Sequence, residues 1–499
     1  METKEKNRGY SKIFRKPIVY QNKPAPLDLF EVKGNPKNKF WRSFKDAWIN
    51  FGRNIAKGTR KIGEWLHVVK KQEKNKLDFN QYIENAQVED VFGTPTKVAA
   101  EIEDVYLTFR NPADPKEKNL VLRGPSLKIY EGKVHAIIGE SGSGKSVITS
   151  LLYGLTGSNA IIESGKIKLY GLEVQDYTMY NWEKSKLRGR VVSAVFQNPM
   201  SILDPTMKVG KQIIEGMLIN KIVKTKKEAK AEAIKYLEMT KINNPQKVMD
   251  LYPHELSGGM IQRIAIAAIV SLKPKILVMD EPTTALDPTV QALVLDIIRE
   301  LQERFHIAIA FITHDLGVVA SISDFINIMY AGQIIESGTK EEILQNPQHP
   351  YTWGLIVSMP DFNKGTKLQV IRGAVPSNLN NIDGDAFAVR NDYALGIDFE
   401  EESPFYQISP THFVKSNLLN GQAPKYEPPK IIQNLWNKYN SKLESIYGTD
   451  KYVDQKIYDN FVQKAYENNE LVKILNTKRD AELASREENN QTKSGANNA

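Results

Sequence analysis

The run Gly139-Glu140-Ser141-Gly142-Ser143-Gly144-Lys145-Ser146 has the residue types and spacing of a phosphate cradle. Glycines let successive backbone N–H groups turn inward around an anion. The start of a following helix adds unsatisfied N–H groups and the positive end of its dipole. Lys145 is then placed to reach the β- and γ-phosphates, and the Ser146 hydroxyl to bind Mg²⁺. Farther along, Asp280 and Glu281 stand together after an apolar run. Adjacent carboxylates are costly there without partners. They suit two tasks: Asp280 toward Mg²⁺ through water, and Glu281 as the general base on an attacking water. Gln197, whose amide oxygen can face Mg²⁺ or orient a water, and His314, which can hydrogen-bond a γ-phosphate, each follow an apolar run as well.

Those residues need elements to hold them. Val134, Ala136, Ile137 and Ile138 precede the cradle as a strand, and Val147, Ile148, Leu151 and Leu152 follow it as a helix. Val191 to Phe196, Ile276 to Met279 and Ile307 to Ile312 read as further buried strands. Gln197, the acid pair and His314 therefore sit at strand ends, where an α/β sheet collects its ligand groups. Ser257, Gly258 and Gly259 head an apolar helix over 258–270, a second anion-binding helix start. That helix is about 20 Å long at 1.5 Å per residue, and its far end feeds the strand leading to Asp280. Its head is then too distant for a nucleotide held at Lys145 of the same chain, so a second such domain must meet it head to tail. Ala285-Leu286-Asp287 turns into a helix over 289–305. Ahead of the cradle, Val98, Ala100, Ile102, Val105, Leu107 and Phe109 alternate as a strand of an antiparallel β layer. Phe109 either stacks on an adenine ring or is plain core. Residues 201–255 read as a helical insertion with helices at 206–220 and 225–241.

Composition narrows the class. The chain has 499 residues, 41% hydrophobic and 25% charged, the balance of a soluble globular protein with room for two to four domains. It contains no cysteine, which excludes disulfides and thiolate-held metal or iron–sulfur centres. Residues 1–16 are charged throughout, unlike a secretory signal, and the most apolar stretch, Ile264 to Leu272, is too short to span a bilayer. Of the net charge of +8, residues 1–80 contribute more than the whole, with 20 basic against 8 acidic residues. Within that extension Trp41, Phe44, Trp48, Phe51 and Ile55, then Ile62, Leu66 and Val69, recur at helical steps among Lys and Arg. This basic amphipathic pattern suits a membrane surface, a partner's groove or packing on its own domain.

Taken together, GESGSGKS, Gln197, LSGGM-x-QR, ILVMDEP, TALD and ITHD, in this order, resemble the ATP-binding subunit of ABC transporters over residues 98–345. DEPTTALDPTVQA, THDLGVVA, MYAGQIIESG and Asn346-Pro347-Gln348-His349-Pro350-Tyr351-Thr352 are similar to the oligopeptide/dipeptide permease branch, in its D-type subunit. The resemblance implies an α/β P-loop NTPase of ABC type: a RecA-like parallel sheet with an antiparallel β subdomain and a helical subdomain at about 201–262, followed by a peptide-permease-type C-terminal region at 346–425; the basic N-terminal extension 1–97 and the polar helical tail 426–499 lie outside the usual family core. It implies that Gly139 to Ser146 hold the phosphates of ATP and that Ser146, Gln197 and Asp280 serve Mg²⁺. Glu281 activates water, and His314 senses the γ-phosphate. Ser257, Gly258 and Gly259, with Gln262 of the same signature, complete the partner's site, and Asp287 communicates across the dimer.

The implied partners are a second ATPase subunit of F type, two transmembrane permease subunits and an extracytoplasmic peptide-binding lipoprotein, with this chain peripheral on the cytoplasmic side of the cell membrane. The N-terminal helix would touch permease or anionic lipid. Nickel or another small solute is the alternative cargo. An ABC ATPase acting on nucleic acid or ribosomes is a poorer match, because the chain shows one cassette and no long heptad insertion, so no nucleic-acid partner is expected. One departure stands out. Where the family carries G-C-x-F-x-P-R-C, this chain has Gly384-Asp385-Ala386-Phe387-Ala388-Val389-Arg390-Asn391. Asp and Asn replace the cysteines, so no iron–sulfur cluster is expected, while Phe387 and Arg390 suggest that the surrounding fold remains. Residues 485–499, rich in Asn, Glu and Ser, are expected to be disordered.

Overall fold

A computed structural model describes residues 79–91, 94–111, 114, 117–198, 202–284, 286–359, 370–420 and 423–447, with side chains as far as Ser441. The aromatic basic helix expected at 41–69 and the tail beyond 447 lie outside these residues.

The chain enters through a short helix, α1 (Phe79–Glu84), and an antiparallel sheet. Strand β1 (Val88–Val91) pairs with β2 (Thr94–Arg110). That long strand also takes β3 (Lys118–Arg123) and β4 (Leu127–Tyr130) as partners. Strand β2 buries Val98, Ala100 and Ile102 and, past a register shift near Asp104, Val105 and Leu107; Ala99 and Glu101 on its other face are buried as well. The sheet begins at Val88, ten residues before the alternation becomes legible, because Glu89 is a poor strand signal by itself. Its carboxylate is buried against Lys128 at 2.5 Å and the Tyr130 hydroxyl at 2.8 Å, both supplied by β4.

Strand β5 (Val134–Ile138) carries the phosphate loop into helix α2 (Lys145–Tyr153). The chain returns to the antiparallel sheet as β6 (Ala160–Leu169) and β7 (Leu172–Glu173) before β8 (Val192–Val195) opens the second sheet's far edge. A helical segment follows, with α3 (Val209–Ile219), α4 (Lys226–Met239) and α5 (Gly258–Val270). Thr225 starts α4 by accepting a hydrogen bond from the Glu228 N–H, and Ser257 starts α5 by accepting from the Met260 N–H. Then come β9 (Ile276–Asp280), α6 (Pro288–Phe305), β10 (Ala308–Ile312), α7 (Leu316–Ile322), β11 (Phe325–Tyr330) and β12 (Gln333–Thr339). The C-terminal region adds α8 (Lys340–Gln345), α9 (Pro350–Val357), the hairpin β13 (Phe405–Gln407) and β14 (Phe413–Lys415), and α10 (Lys430–Tyr447).

The second sheet has the order β13-β14-β12-β11-β5-β10-β9-β8, and its run from β11 to β8 is parallel. Both faces of this parallel part are covered, which explains why its strands are apolar without alternation. One core lies between the antiparallel sheet, α2 and the parallel sheet. A second joins the opposite face to the helical segment and α6. A third seals β11 and β12 under the C-terminal region through Tyr351, Trp353 and Phe387.

Candidate nucleotide site

The neighbouring strands β5, β10, β9 and β8 all end on one side of the sheet. Their register sets Ile312 beside both Ile137 and Asp280, and Val195 beside Met279. The residues that follow these strands, the phosphate loop, Thr313-His314, Asp280-Glu281 and Gln197, therefore gather along one rim.

In the phosphate loop Gly139 has no room for a side chain, since a Cβ there would lie 2.1 Å from the Met329 carbonyl oxygen. Gly142 and Gly144 take φ of 83° and 100°, conformations that other residues resist. Ser141 and Gly142 are exposed, while the Ser143 N–H donates to the Glu140 carbonyl at 3.2 Å. The buried Lys145 ammonium donates to the carbonyls of Gly139 and Glu140, both at 2.9 Å, so it lies along the inner wall of its own loop. Burial lowers its pKa, and the carboxylates of Glu281, Asp280 and Glu140 oppose that shift. Ser146, at the head of α2, favours the ionised Asp280 carboxylate. Asp280 is raised above the usual carboxylate range, chiefly by burial and further by Glu281, against the pull of Ser146 and Lys145.

Glu281 is the point of convergence. It takes φ of 46°, left-handed backbone uncommon for a residue with a side chain. Its N–H donates to the Ile312 carbonyl at 3.0 Å. Its carboxylate accepts from Gln197 Nε2 at 3.0 Å and from Thr284 Oγ1 at 3.0 Å, and lies 3.3 Å from His314 Nδ1. Gln197 and His314, picked out in separate stretches of sequence, thus meet at the Glu281 carboxylate. Thr284 was not among them, because a Thr in a polar turn carries no signal of its own. Oxygen atoms of Ser146, Asp280 and Gln197 form a donor set of the hard kind that Mg²⁺ takes.

The remaining expected residues fall elsewhere. Ser257 and Gly258 are exposed at the head of α5. Gly259 packs against α6, where a Cβ would meet Val290 Cγ1 at 2.8 Å. Gln262 is only 1% exposed, and its amide nitrogen has no hydrogen-bond partner among the described residues. One turn into α5, it faces the protein and not the open tip. Asp287 caps α6, accepting from the N–H groups of Thr289 and Val290 at 3.1 and 3.0 Å. Phe109, one residue before the end of β2, is half-buried, beside Ala160 of β6 and packed on the first core.

The C-terminal region reaches back to this site. Arg390 grips Glu140 with two hydrogen bonds of 3.0 and 3.1 Å, and the Glu140 N–H donates to the Tyr351 hydroxyl at 2.9 Å. Where cysteines were expected by resemblance, Asp385 accepts from the Phe387 N–H at 2.9 Å and Asn391 from the Tyr393 N–H at 3.0 Å, so both side chains brace the local turn.

A parallel sheet whose loop cradles phosphate and whose next strand ends present Gln, Asp-Glu and His defines an ABC-type ATPase. Family comparison agrees: residues 122–284 match the ABC transporter family and residues 335–397 the oligopeptide/dipeptide transporter C-terminal region. The chain is 45% identical over 340 residues to the dipeptide transport ATP-binding protein DppD of Lactococcus lactis subsp. cremoris, covering 68% of this chain and 96% of that one. It is 44% identical over 348 residues to the oligopeptide transport ATP-binding protein AmiE of Streptococcus pneumoniae, covering 68% and 97%. To the oligopeptide transport ATP-binding protein OppD of Bacillus subtilis it is 42% identical over 347 residues, covering 69% and 95%. The chain belongs to the family of oligopeptide and dipeptide transport ATP-binding proteins.

Proposed function

We propose that this ATPase drives the import of oligopeptides, with Glu281 as the base that takes a proton from the attacking water. The observation that supports the chemistry is the meeting of Gln197, Thr284 and His314 on the Glu281 carboxylate. These contacts fix both carboxylate oxygens at the end of β9, on the rim that also carries the phosphate loop. Ser146, Gln197 and Asp280 would hold Mg²⁺, which would supply positive charge against the phosphates. Ser257 and Gly258 are exposed on the head of α5 for a second ATPase subunit, and two such subunits bury two triphosphates head to tail.

The peptide cargo rests on the relatives' names and on the C-terminal match. The same resemblance supports two permease subunits and a peptide-binding lipoprotein as partners. No helix among the described residues is long and apolar enough to cross a membrane. The resemblance supports attachment to the cytoplasmic side of the cell membrane through the permease. The test is purification of this chain with its partners and reconstitution in vesicles. Peptide uptake that requires ATP and disappears in Glu281→Gln is expected. Turnover retained in Glu281→Gln would remove that residue from its role, and uptake of another solute class alone would overturn the cargo.

A further inference from the structure

The second residue of the phosphate loop is a carboxylate, an awkward neighbour for a polyphosphate of several negative charges. Glu140 is bound on all sides. Its carbonyl accepts from Lys145, its N–H donates to the Tyr351 hydroxyl, and its side chain is forked by Arg390. Arg390 is itself fixed. Its side chain is 6% exposed, its Nε donates to the Arg372 carbonyl at 2.6 Å, and its Nη1 donates to the Tyr330 hydroxyl at 3.2 Å. The guanidinium lies 5.6 Å from the centre of the Tyr330 ring and 6.0 Å from that of Phe387, within cation–π range of both. A planar fork set this way matches a carboxylate in two directions at once, which an ammonium cannot do. The pair joins residues 250 positions apart and ties the C-terminal region to the residue next to Gly139.

We propose that Arg390 is a positioning residue for ATP: by cancelling the charge of Glu140 it lets the C-terminal region set the phosphate loop's affinity for the triphosphate. The idea rests on the reading that this loop holds ATP. A loop whose second residue is left negative repels the ligand before any chemistry, so the loss falls on binding and not on the turnover of bound nucleotide.

The test uses the full chain in its assembled complex, with ATP as the ligand. Arg390→Gln is expected to raise the KM for ATP by roughly tenfold with kcat within about twofold, and Arg390→Lys, which keeps the charge but loses the fork, to raise it by clearly less. Adding Glu140→Gln to Arg390→Gln removes the stranded charge and is expected to bring KM back down. Equal effects of Gln and Lys at 390, no recovery in the double variant, or a fall in kcat at constant KM would each overturn the proposal. Should Arg390→Gln fail to assemble, Arg390→Lys decides alone, a tenfold rise in KM counting against charge compensation. Lys145→Ala separates the two readings: nucleotide binding that survives it would show that the loop is not the ATP site at all, whatever Arg390 does.

Discussion

Gln197 and Glu281, 84 positions apart in the chain, share a 3.0 Å hydrogen bond from amide nitrogen to carboxylate. The bond exists because β8 and β9 are adjacent and parallel, so their ends deliver both side chains to the same place. Any rearrangement of the Gln197 loop is therefore felt directly at the proposed base.

Thr284 is the unforeseen member of this group. Thr284→Ala removes one hydrogen bond from Glu281 and is expected to lower kcat by about tenfold while leaving the KM for ATP unchanged. Thr284→Ser should retain most of the rate. Steady-state ATPase assays of the assembled complex check both.

The two signature glycines should fail in different ways. Gly259→Ala places a methyl against Val290 and is expected to cost about 1 kcal/mol of stability through overpacking. Nothing lies within 4 Å of a Cβ on Gly258. Gly258→Ala should melt like the unaltered protein yet impair ATPase activity that depends on closure against a second subunit. Thermal melts alongside turnover measurements separate the pair.

Glu336 is fully buried and accepts from the N–H groups of Gln348 and His349 at 2.7 and 3.1 Å, with His412 Nε2 at 2.8 Å. It fastens β12 both to the turn before α9 and to the β13–β14 hairpin. Glu336→Ala strands three polar groups inside the protein and is expected to destabilise the C-terminal region by roughly 3 kcal/mol. Limited proteolysis between residues 340 and 420 is the direct readout.

Glu402 supplies a pH dependence. Burial pushes its carboxyl up, but Lys415 and Arg123 more than offset that and hold it below its ordinary value of 4.5. A carboxyl depressed in the folded state binds fewer protons there than in the unfolded chain. Its contribution is complete above about pH 4.5 and is lost as pH falls through the lower folded value. Glu402→Gln should therefore lower the melting temperature at pH 7 and shrink the difference between melts at pH 7 and pH 4.

Much of the catalytic rim was legible because each group follows a run of buried residues that must be a strand, and strand ends in a parallel sheet face one way. Helix α5 was readable at both ends, from Ser257 to the last apolar turn. The hidden parts depend on partners distant in sequence. Glu89 reads as a surface residue until Lys128 and Tyr130 are placed beside it. The three-residue strands β13 and β14 are too short for periodicity to register; β14 pairs with β12 across more than seventy residues, and β13 pairs with β14. Phe387 and Arg390 stood out only as remnants of a motif, with no hint that Arg390 reaches Glu140. The burial of Gln262 was equally hidden, since membership of a signature says nothing about which face of its helix a residue occupies.

The pairing of Phe413 and Val414 with β12 has one more effect. It occupies hydrogen-bonding groups that would otherwise form a free margin on the nucleotide-binding sheet, and free margins recruit other chains. A protein truncated before Phe405 would keep every residue of the ATP rim and still bare that margin, so clumping after purification, not lost chemistry, is the defect to expect from it.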